Sequence, residues 1–188
     1  MKTSIEFERK SILSFEQYIQ YYKLLSQQSK PSVTLQFNYY YDDTRFSLFE
    51  HNETLRVRQI GEKLTLEYKH NKEHIGNVRK SEENATSIPI LPQKITIDSI
   101  EATMVGCLLT ERNDFLFKNV KISLDKNIYL GIVDYELELE ITGVDELPQF
   151  LSALTETDTC SSLGKYSRFV SKLRVVNTIY EVYLLESY

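Results

Sequence analysis

The segment IEFERK, residues Ile5 to Lys10, decides how the fold is interpreted. Successive side chains of a β-strand turn to opposite faces, so Glu6, Glu8 and Lys10 point one way while Phe7 points the other. Two carboxylates at this spacing repel each other unless a cation or a base lies between them. The alternative is an antiparallel strand whose charged face is simply wetted by solvent. Other strands of the chain decide between the two interpretations.

Further predicted strands show the same separation of an apolar face from a charged face. LRVR places Arg56 and Arg58 on one face, and LTLEYK places Glu67 and Lys69 together. Solvated faces usually mix the two signs, whereas here one strand carries two arginines and YELELE carries three alternate glutamates. Like charges aligned on a strand destabilise it unless an opposite charge binds. The pattern therefore favours charged faces that meet inside the protein.

A barrel with a charged lumen accounts for these strands together. The sequence pattern predicts about eight strands. Their apolar faces are expected to pack outward against helices at 14–28 and 145–155. Ser14 and Gln17 form a predicted capping box for the first helix, and residues 96–106 are predicted as a short helix. Many antiparallel strands with few helices indicate an α+β protein built on a closed barrel or a strongly curved sheet. The acidic alternation of EFERK returns in YELELE, which suggests an internal duplication.

Composition limits the class of protein. The 188 residues are 41% apolar and 26% charged, and they predict a single domain over residues 1–188. The net charge of −5 argues against nonspecific nucleic-acid binding. Two cysteines without a CxxC motif, no signal peptide and no apolar run of about 18 residues predict a cytoplasmic protein without a membrane span.

The charged faces supply two sets of side chains for one cavity. Carboxylate oxygens are the ligands that Mg²⁺ and Mn²⁺ prefer. Arginine forks bind phosphate oxygens, and lysines act as point charges. Because the two sets nearly cancel, one or two bound divalent ions would make the cavity positive and suited to a polyphosphate. The acidic set is Glu6, Glu8, Glu136, Glu138 and Glu140, and the basic set is Lys10, Arg56, Arg58 and Lys69.

In this order the motifs resemble those of the CYTH superfamily, also called triphosphate tunnel metalloenzymes, and in particular its small members from Gram-positive bacteria. EFERK matches the ExExK signature, and LRVR followed by LTLEYK matches the LRxR and TLK strands. Arg112, Asp125 and DYELELE follow in family order. GKYSRF resembles the C-terminal motif, although Gly164 stands where the family pattern has Asn. ExExK alone is unspecific, whereas the ordered set is specific.

The resemblance implies a fold and a set of residue roles. The fold is an eight-stranded antiparallel β-barrel that forms a tunnel. Mg²⁺ or Mn²⁺ would be held by acidic residues, namely Glu6, Glu8, Asp125, Glu136, Glu138 and Glu140, with the pair used on the last strand left open. Phosphates would be held by basic residues, of which the first five are also the expected catalytic groups: Lys10, Arg56, Arg58, Lys69, Arg112, Lys165 and Arg168.

The resemblance also implies an activity. Family members cleave or rearrange triphosphates, so the expected function is metal-dependent hydrolysis of inorganic triphosphate or of a small organic triphosphate such as thiamine triphosphate or a nucleotide. The expected partner is thus a small triphosphate or polyphosphate, with no membrane and no nucleic acid. An adenylate cyclase and a noncatalytic sensor of polyphosphate or nucleotide are the alternatives.

Overall fold

The structure is a computed structural model that describes residues 2–75, 78–97, 99–117, 120–141 and 163–186. Its strands are β1 Lys2–Leu13, β2 Ser32–Asp42, β3 Glu53–Ile60, β4 Lys63–Ile75, β5 Val78–Ile88, β6 Lys94–Ile97, β7 Ile100–Phe117, β8 Val120–Tyr129 and β9 Ile132–Ile141. Its helices are α1 Phe15–Ser26, α2 Ser47–Glu50 and α3 Lys165–Glu186.

The strands close into a barrel. The antiparallel order is β2-β3-β4-β5-β1-β9-β8-β7, and β2 also pairs with β7, which joins the two edges. The short strand β6 extends the sheet beside the start of β7. This confirms the predicted α+β fold with an eight-stranded antiparallel barrel. The two acidic strands are neighbours, with Glu8 opposite Glu140 and Lys10 opposite Glu138. The internal duplication stays a hypothesis.

Helix α1 covers the outer face of the barrel. Ser14 accepts a hydrogen bond from the Gln17 backbone while the Gln17 side chain accepts one from the Ser14 backbone, so the predicted capping box is confirmed. Buried residues of α1 such as Tyr18 and Leu25 pack in one cluster with Leu137 and Leu139 of β9. The apolar face of β9 is therefore the outward one, which leaves its glutamates on the inside.

The start of helix α3 packs against the barrel and contributes to the cavity wall. Phe169 and Tyr166, in its first turns, pack in one cluster with Tyr40 of β2, Leu108 of β7 and Tyr129 of β8. Gly106 of β7 allows this approach, because a Cβ atom at that position would lie 2.5 Å from the Phe169 ring. The Tyr166 hydroxyl donates to the buried Asp42 carboxylate over 2.6 Å, which attaches the helix to the end of β2.

Two sequence predictions about helices have different outcomes. The short helix predicted at 96–106 is wrong, because Ile97 and Ile100 pair across a β6–β7 hairpin in which Ser99 has a φ of 70°. The helix predicted at 145–155 lies outside the described residues. Among the described helices, none combines the length and the apolar character needed to cross a membrane.

Candidate active site

The barrel encloses a polar cavity of about 140 Å³. All eight strands of the closed barrel, β1 to β5 and β7 to β9, and the start of α3 contribute to its wall. The two partly exposed side chains Lys121 and Glu140, with exposures of 33% and 40%, mark a side of the cavity that reaches solvent. The charged residues that line it are Glu8, Lys10, Arg56, Arg58, Lys69, Glu83, Arg112, Lys121, Glu138, Glu140 and Lys165.

Three buried carboxylates form the acidic centre of the site, which we call the carboxylate triad: Asp125, Glu136 and Glu138. Each can offer an oxygen within 4.8 Å of the others. Asp125 lies opposite Glu136 in the β8–β9 pairing, and Glu138 follows two residues later on the same face of β9. Of the three β9 glutamates, Glu140 lies outside the triad, and its carboxylate is 3.6 Å from Lys121.

The Lys165 ammonium lies among the triad carboxylates. Its Nζ is 2.8 Å from Asp125 and 2.7 Å from Glu136, and it also donates to Glu138. Burial alone would lower the pKa of Lys165, but the three carboxylates raise it above its usual value. The amine therefore stays charged and neutralises part of the triad.

Glu138 connects the triad with the cavity wall. It accepts hydrogen bonds from Lys10 over 3.0 Å and from Arg112. Arg112 also makes a bidentate interaction with the Asp125 carboxylate, over 2.8 and 2.6 Å. Burial would raise the pKa of Glu138, but Arg112, Lys10 and Lys165 hold it well below its usual value. Glu138 is thus ionised and held by three cations.

The two arginines of LRVR share one carboxylate partner. Arg56 donates to Glu67 over 2.7 Å, and Arg58 lies 3.3 Å from the other oxygen of Glu67 and donates to the Asn38 side chain. Burial, together with the positive charges of Arg56 and Arg112, lowers the pKa of Arg58, whereas Glu67 and Glu83 raise that of Arg56 against its burial. Arg58 is therefore the less compensated of the two, and a phosphate oxygen would compensate it.

Glu8 is held between two lysines. Its carboxylate oxygens are each 3.1 Å from an ammonium nitrogen, one from Lys69 and the other from Lys10. Burial raises the pKa of Glu8, but Lys10 and Lys69 outweigh this effect and lower it from 4.5 to about 2. Because the folded pKa lies below the unfolded value, Glu8 stabilises the fold fully above about pH 4.5, and this stabilisation is lost as the pH falls toward 2.

We expect Glu8→Gln to lower the free energy of unfolding by about 1–3 kcal/mol at pH 7, since it removes the charge that lies between two partly buried ammonium groups. The difference from the wild type should persist when unfolding in urea is repeated at pH 5 and should shrink at pH 3.5. Glu101→Gln is the control, because Glu101 and its partner Lys94 are 63% and 61% exposed. It should cost less than about 1 kcal/mol at each pH. Equal losses for the two variants would contradict the prediction.

Not every predicted site residue reaches the cavity wall. Arg168 binds Asp134 and Glu136, each over 3.1 Å, and donates to the Leu163 carbonyl, so it anchors the start of α3 behind the triad. Glu6 lies on β1 opposite Ser81, and its side chain lies outside what the structure describes. The other predicted phosphate ligands line the cavity, and Glu8 and Glu140 line it as well.

The structure adds cavity residues that sequence analysis did not select, and it adds Glu67 as the shared partner of Arg56 and Arg58. Glu67 had a visible signal, since it lies two positions before Lys69 on the same strand face. Lys121 had a similar signal, since it lies four positions before Asp125 on the same strand face. Neutral polar residues carried no signal that separated them from other strand positions. The cavity residues not selected are Gln36, Asn38, Tyr40, Thr54, Glu83, Thr110, Lys121, Ser123, Gly164, Tyr166 and Ser167.

The carboxylate triad suits a hard divalent cation in donor chemistry. It offers carboxylate oxygens only, the ligand type of Mg²⁺ and Mn²⁺, within a range that one ion can span. Glu8 is a further oxygen donor close to Glu138 through the shared Lys10. The residues therefore fit the metal that the resemblance implies, provided that the cations now in contact with them rearrange.

Comparison with known proteins identifies the fold independently. A candidate adenylate cyclase from Bacillus halodurans superposes with a TM-score of 0.70 at 24% identity, covering 90% of this chain and 99% of the other. HpAC1 from Hippeastrum, described as a candidate adenylyl cyclase with a dominant triphosphatase activity, gives 0.70 at 20% identity, with coverages of 88% and 95%. A chain of the Schizosaccharomyces pombe Mediator head module gives 0.57 at 11% identity, with coverages of 82% and 90%.

Sequence comparison is more specific. No curated protein matches the chain. The CYTH domain profile, however, matches residues 4–165 and so spans the site from Glu8 on β1 to Lys165 at the start of α3. The predicted Gram-positive origin stays a prediction. With this match over most of its length, the chain is a member of the CYTH domain family.

Proposed function

We propose that this protein is a divalent-metal-dependent phosphohydrolase that acts on inorganic triphosphate or on a small organic triphosphate, such as thiamine triphosphate or a nucleotide. The observation that carries the proposal is the convergence of Lys10, Arg56, Arg58, Lys69 and Arg112 on one enclosed cavity beside a carboxylate triad. A triphosphate is a compact polyanion that needs such a set of cations and a divalent ion to offset its charge.

The proposed roles follow from the contacts of each side chain. Arg58 and Arg56 lie on β3 and present guanidinium forks that can bind phosphate oxygens in pairs. Lys10 and Lys69 flank Glu8 on the neighbouring part of the wall and add point charges. Arg112, held by Asp125 and Glu138, is oriented to neutralise charge that develops on the leaving phosphate.

The carboxylates have a separate role. Glu136, Glu138 and Asp125 would hold Mg²⁺ or Mn²⁺, with Glu8 as a further ligand, and Glu140 is a weaker candidate because it lies outside the triad. The ion would supply Lewis-acid activation of the phosphoryl group and of water. A carboxylate of this set would orient the attacking water, and no covalent nucleophile is required. We also propose a single domain over residues 1–188 and a cytoplasmic location.

Two alternatives use the same cavity. An adenylate cyclase would release pyrophosphate and cyclic AMP from ATP, and a CYTH fold similar to candidate cyclases is compatible with it. A noncatalytic sensor would bind polyphosphate or nucleotide without turnover. A fold does not fix a function, so binding without turnover is a distinct outcome for the same cavity.

Product analysis over a substrate panel tests the proposal. Tripolyphosphate, thiamine triphosphate, ATP and GTP are each incubated with Mg²⁺, with Mn²⁺ and with EDTA, and phosphate, pyrophosphate and cyclic AMP are quantified. We expect phosphate release from at least one triphosphate that requires the metal. Cyclic AMP with pyrophosphate would replace the proposal by the cyclase, and tight binding without any product would replace it by the sensor.

A pair of arginine variants guards against contaminating phosphatases. Arg58→Gln removes a cavity guanidinium and should lower kcat/KM by about 10²-fold or more. Arg45→Gln removes a guanidinium that is 85% exposed outside the cavity and should leave the rate unchanged. Equal rates for the two variants would show that the measured hydrolysis does not come from this cavity.

A further inference from the structure

The Lys165 ammonium lies where a divalent ion would have to bind. Among the described residues it is the cationic group that all three triad carboxylates share, with Nζ 2.8 Å from Asp125, 2.7 Å from Glu136 and in contact with Glu138. Each of the three carboxylates also has a second cationic partner. Arg112 contacts Asp125 and Glu138, and Arg168 contacts Glu136.

This arrangement leaves the triad without spare negative charge. The three carboxylates face three positive groups in direct contact, Lys165, Arg112 and Arg168, while Lys10 also reaches Glu138. A divalent ion added to this set would bring a large excess of positive charge into a buried site, which is costly at low local dielectric. One of the cations has to withdraw before the ion can bind.

Lys165 is the group best able to withdraw. Its side chain lines the cavity as well as the triad, and its four-carbon stem allows the ammonium to rotate toward the cavity. Arg112 is held by a two-pronged contact with Asp125, and Arg168 also binds Asp134. The start of α3 would stay in place during the movement, because Tyr166 is bonded to Asp42 and Arg168 is bonded to Asp134.

We propose that Lys165 is an internal counterion that occupies the metal position until a divalent ion displaces it into the cavity, where it becomes a phosphate ligand. The proposal rests on the proposed function for the identity of the metal and of the phosphate ligand. It assigns Lys165 two alternating partners, the carboxylate triad and the substrate. Metal and triphosphate therefore bind cooperatively, since each favours the position of Lys165 that the other requires.

The cooperativity is reciprocal. If triphosphate draws Lys165 out of the triad, it raises the affinity for the metal, and the metal must raise the affinity for triphosphate by the same factor. The metal alone binds weakly, because it has to displace the ammonium without a phosphate to receive it. We expect a coupling of about 5- to 150-fold, the usual range for linked sites.

Binding of Mn²⁺ in the absence of any phosphate tests the inference. Free Mn²⁺ is measured by electron paramagnetic resonance for the wild type, Lys165→Met and Lys172→Met. Lys172→Met is the matched control, since it removes the same charge from the same helix outside the triad. We expect Lys165→Met to bind Mn²⁺ at least about tenfold more tightly than the wild type, and Lys172→Met to bind it as the wild type does.

Folding provides the second readout. Lys165→Met leaves the triad short of one positive charge, so its Tm in EDTA should fall below that of both other proteins and should rise more than theirs when Mn²⁺ is added. If the variant is unfolded in EDTA, circular dichroism should show that Mn²⁺ restores the fold, and Lys165→Gln should behave in the same way. Unchanged or weaker Mn²⁺ affinity, or failure of millimolar Mn²⁺ to restore either variant, would overturn the inference.

The two proposals fail separately. If the wild type hydrolyses triphosphates but Lys165→Met binds Mn²⁺ no more tightly, the proposed function stands and the counterion proposal is rejected. If the wild type hydrolyses none of the triphosphates, the proposed function is rejected. The Mn²⁺ measurements still decide whether Lys165 occupies the metal position.

Discussion

Replacement of Glu138 by Gln is expected to lower kcat/KM for the best triphosphate substrate by about 10²–10³-fold, the range observed when one preorganised electrostatic group is removed from an active site. Glu138 is the acid that contacts Lys10, Arg112 and Lys165 at once and that belongs to the carboxylate triad. Gln keeps the shape of the side chain but not its charge, so metal binding and the orientation of three cations are weakened together. Initial rates of phosphate release measure the effect.

Glu140→Gln is the matched control for this prediction. Glu140 lies two residues further along the same face of β9, but it is 40% exposed and its carboxylate lies 3.6 Å from Lys121. We expect its loss to change kcat/KM by less than about tenfold. The pair of variants thereby compares Glu138 with Glu140 as contributors to the site. A larger effect at position 140 than at position 138 would contradict the geometry of the triad.

Phe169→Ala is expected to lower the free energy of unfolding by about 3–5 kcal/mol, the usual cost of removing a fully buried aromatic ring. The ring fits against Gly106 and packs near the rings of Tyr40 and Tyr129, with centroid distances of 5.3 and 6.1 Å. Since β7 closes the barrel and α3 packs on it at Gly106, surrounding residues cannot easily fill the void. Urea unfolding at pH 7 in EDTA measures the loss.

Phe15→Ala provides the comparison for the same chemical change. Phe15 is 54% exposed at the start of α1, with its ring 5.5 Å from that of Tyr135. We expect a loss of about 1 kcal/mol or less, since a half-exposed ring contributes less burial. If the two substitutions cost the same, α3 is not packed on β7 as the structure describes.

Strand periodicity predicted the direction of the strand faces and a closed barrel or strongly curved sheet, and the resemblance implied the eight-stranded barrel. A closed barrel gives every strand one inner and one outer face, so the like charges of Arg56 and Arg58, or of Glu136 and Glu138, converge. The capping box of α1 was equally local and is confirmed. These features depend on residues that are neighbours in sequence, and for that reason the sequence reports them.

The helix predicted at 96–106 is wrong because its apolar spacing also fits a hairpin. Ile97 and Ile100 are three residues apart, which is the spacing of one helix face, but the same spacing also results when two residues pair across a two-residue hairpin turn. Ser99 has the positive φ of a hairpin turn. Glycine or asparagine, the residues that favour this conformation, would have indicated the turn, but position 99 is a serine. Local spacing alone cannot distinguish the two structures.

The partners of the charged residues were also beyond sequence analysis. Lys165 was expected to bind phosphate, yet it contacts three carboxylates that come from β8 and β9. Arg168 was expected in the cavity, yet Asp134 and Glu136 hold it behind the triad. Which acid a lysine or arginine meets depends on how α3 enters the barrel, and this is set by Tyr166, Phe169 and Gly106 rather than by any motif of charges.

The aromatic cluster around Phe169 couples the fold to the site. Tyr166 and Phe169 follow Lys165 closely in the chain and pack with Tyr40, Leu108 and Tyr129. A substitution that loosens this packing would therefore also shift the Lys165 ammonium relative to the triad. Stability and function should thus decline together at these aromatic positions, although none of the rings carries a charge.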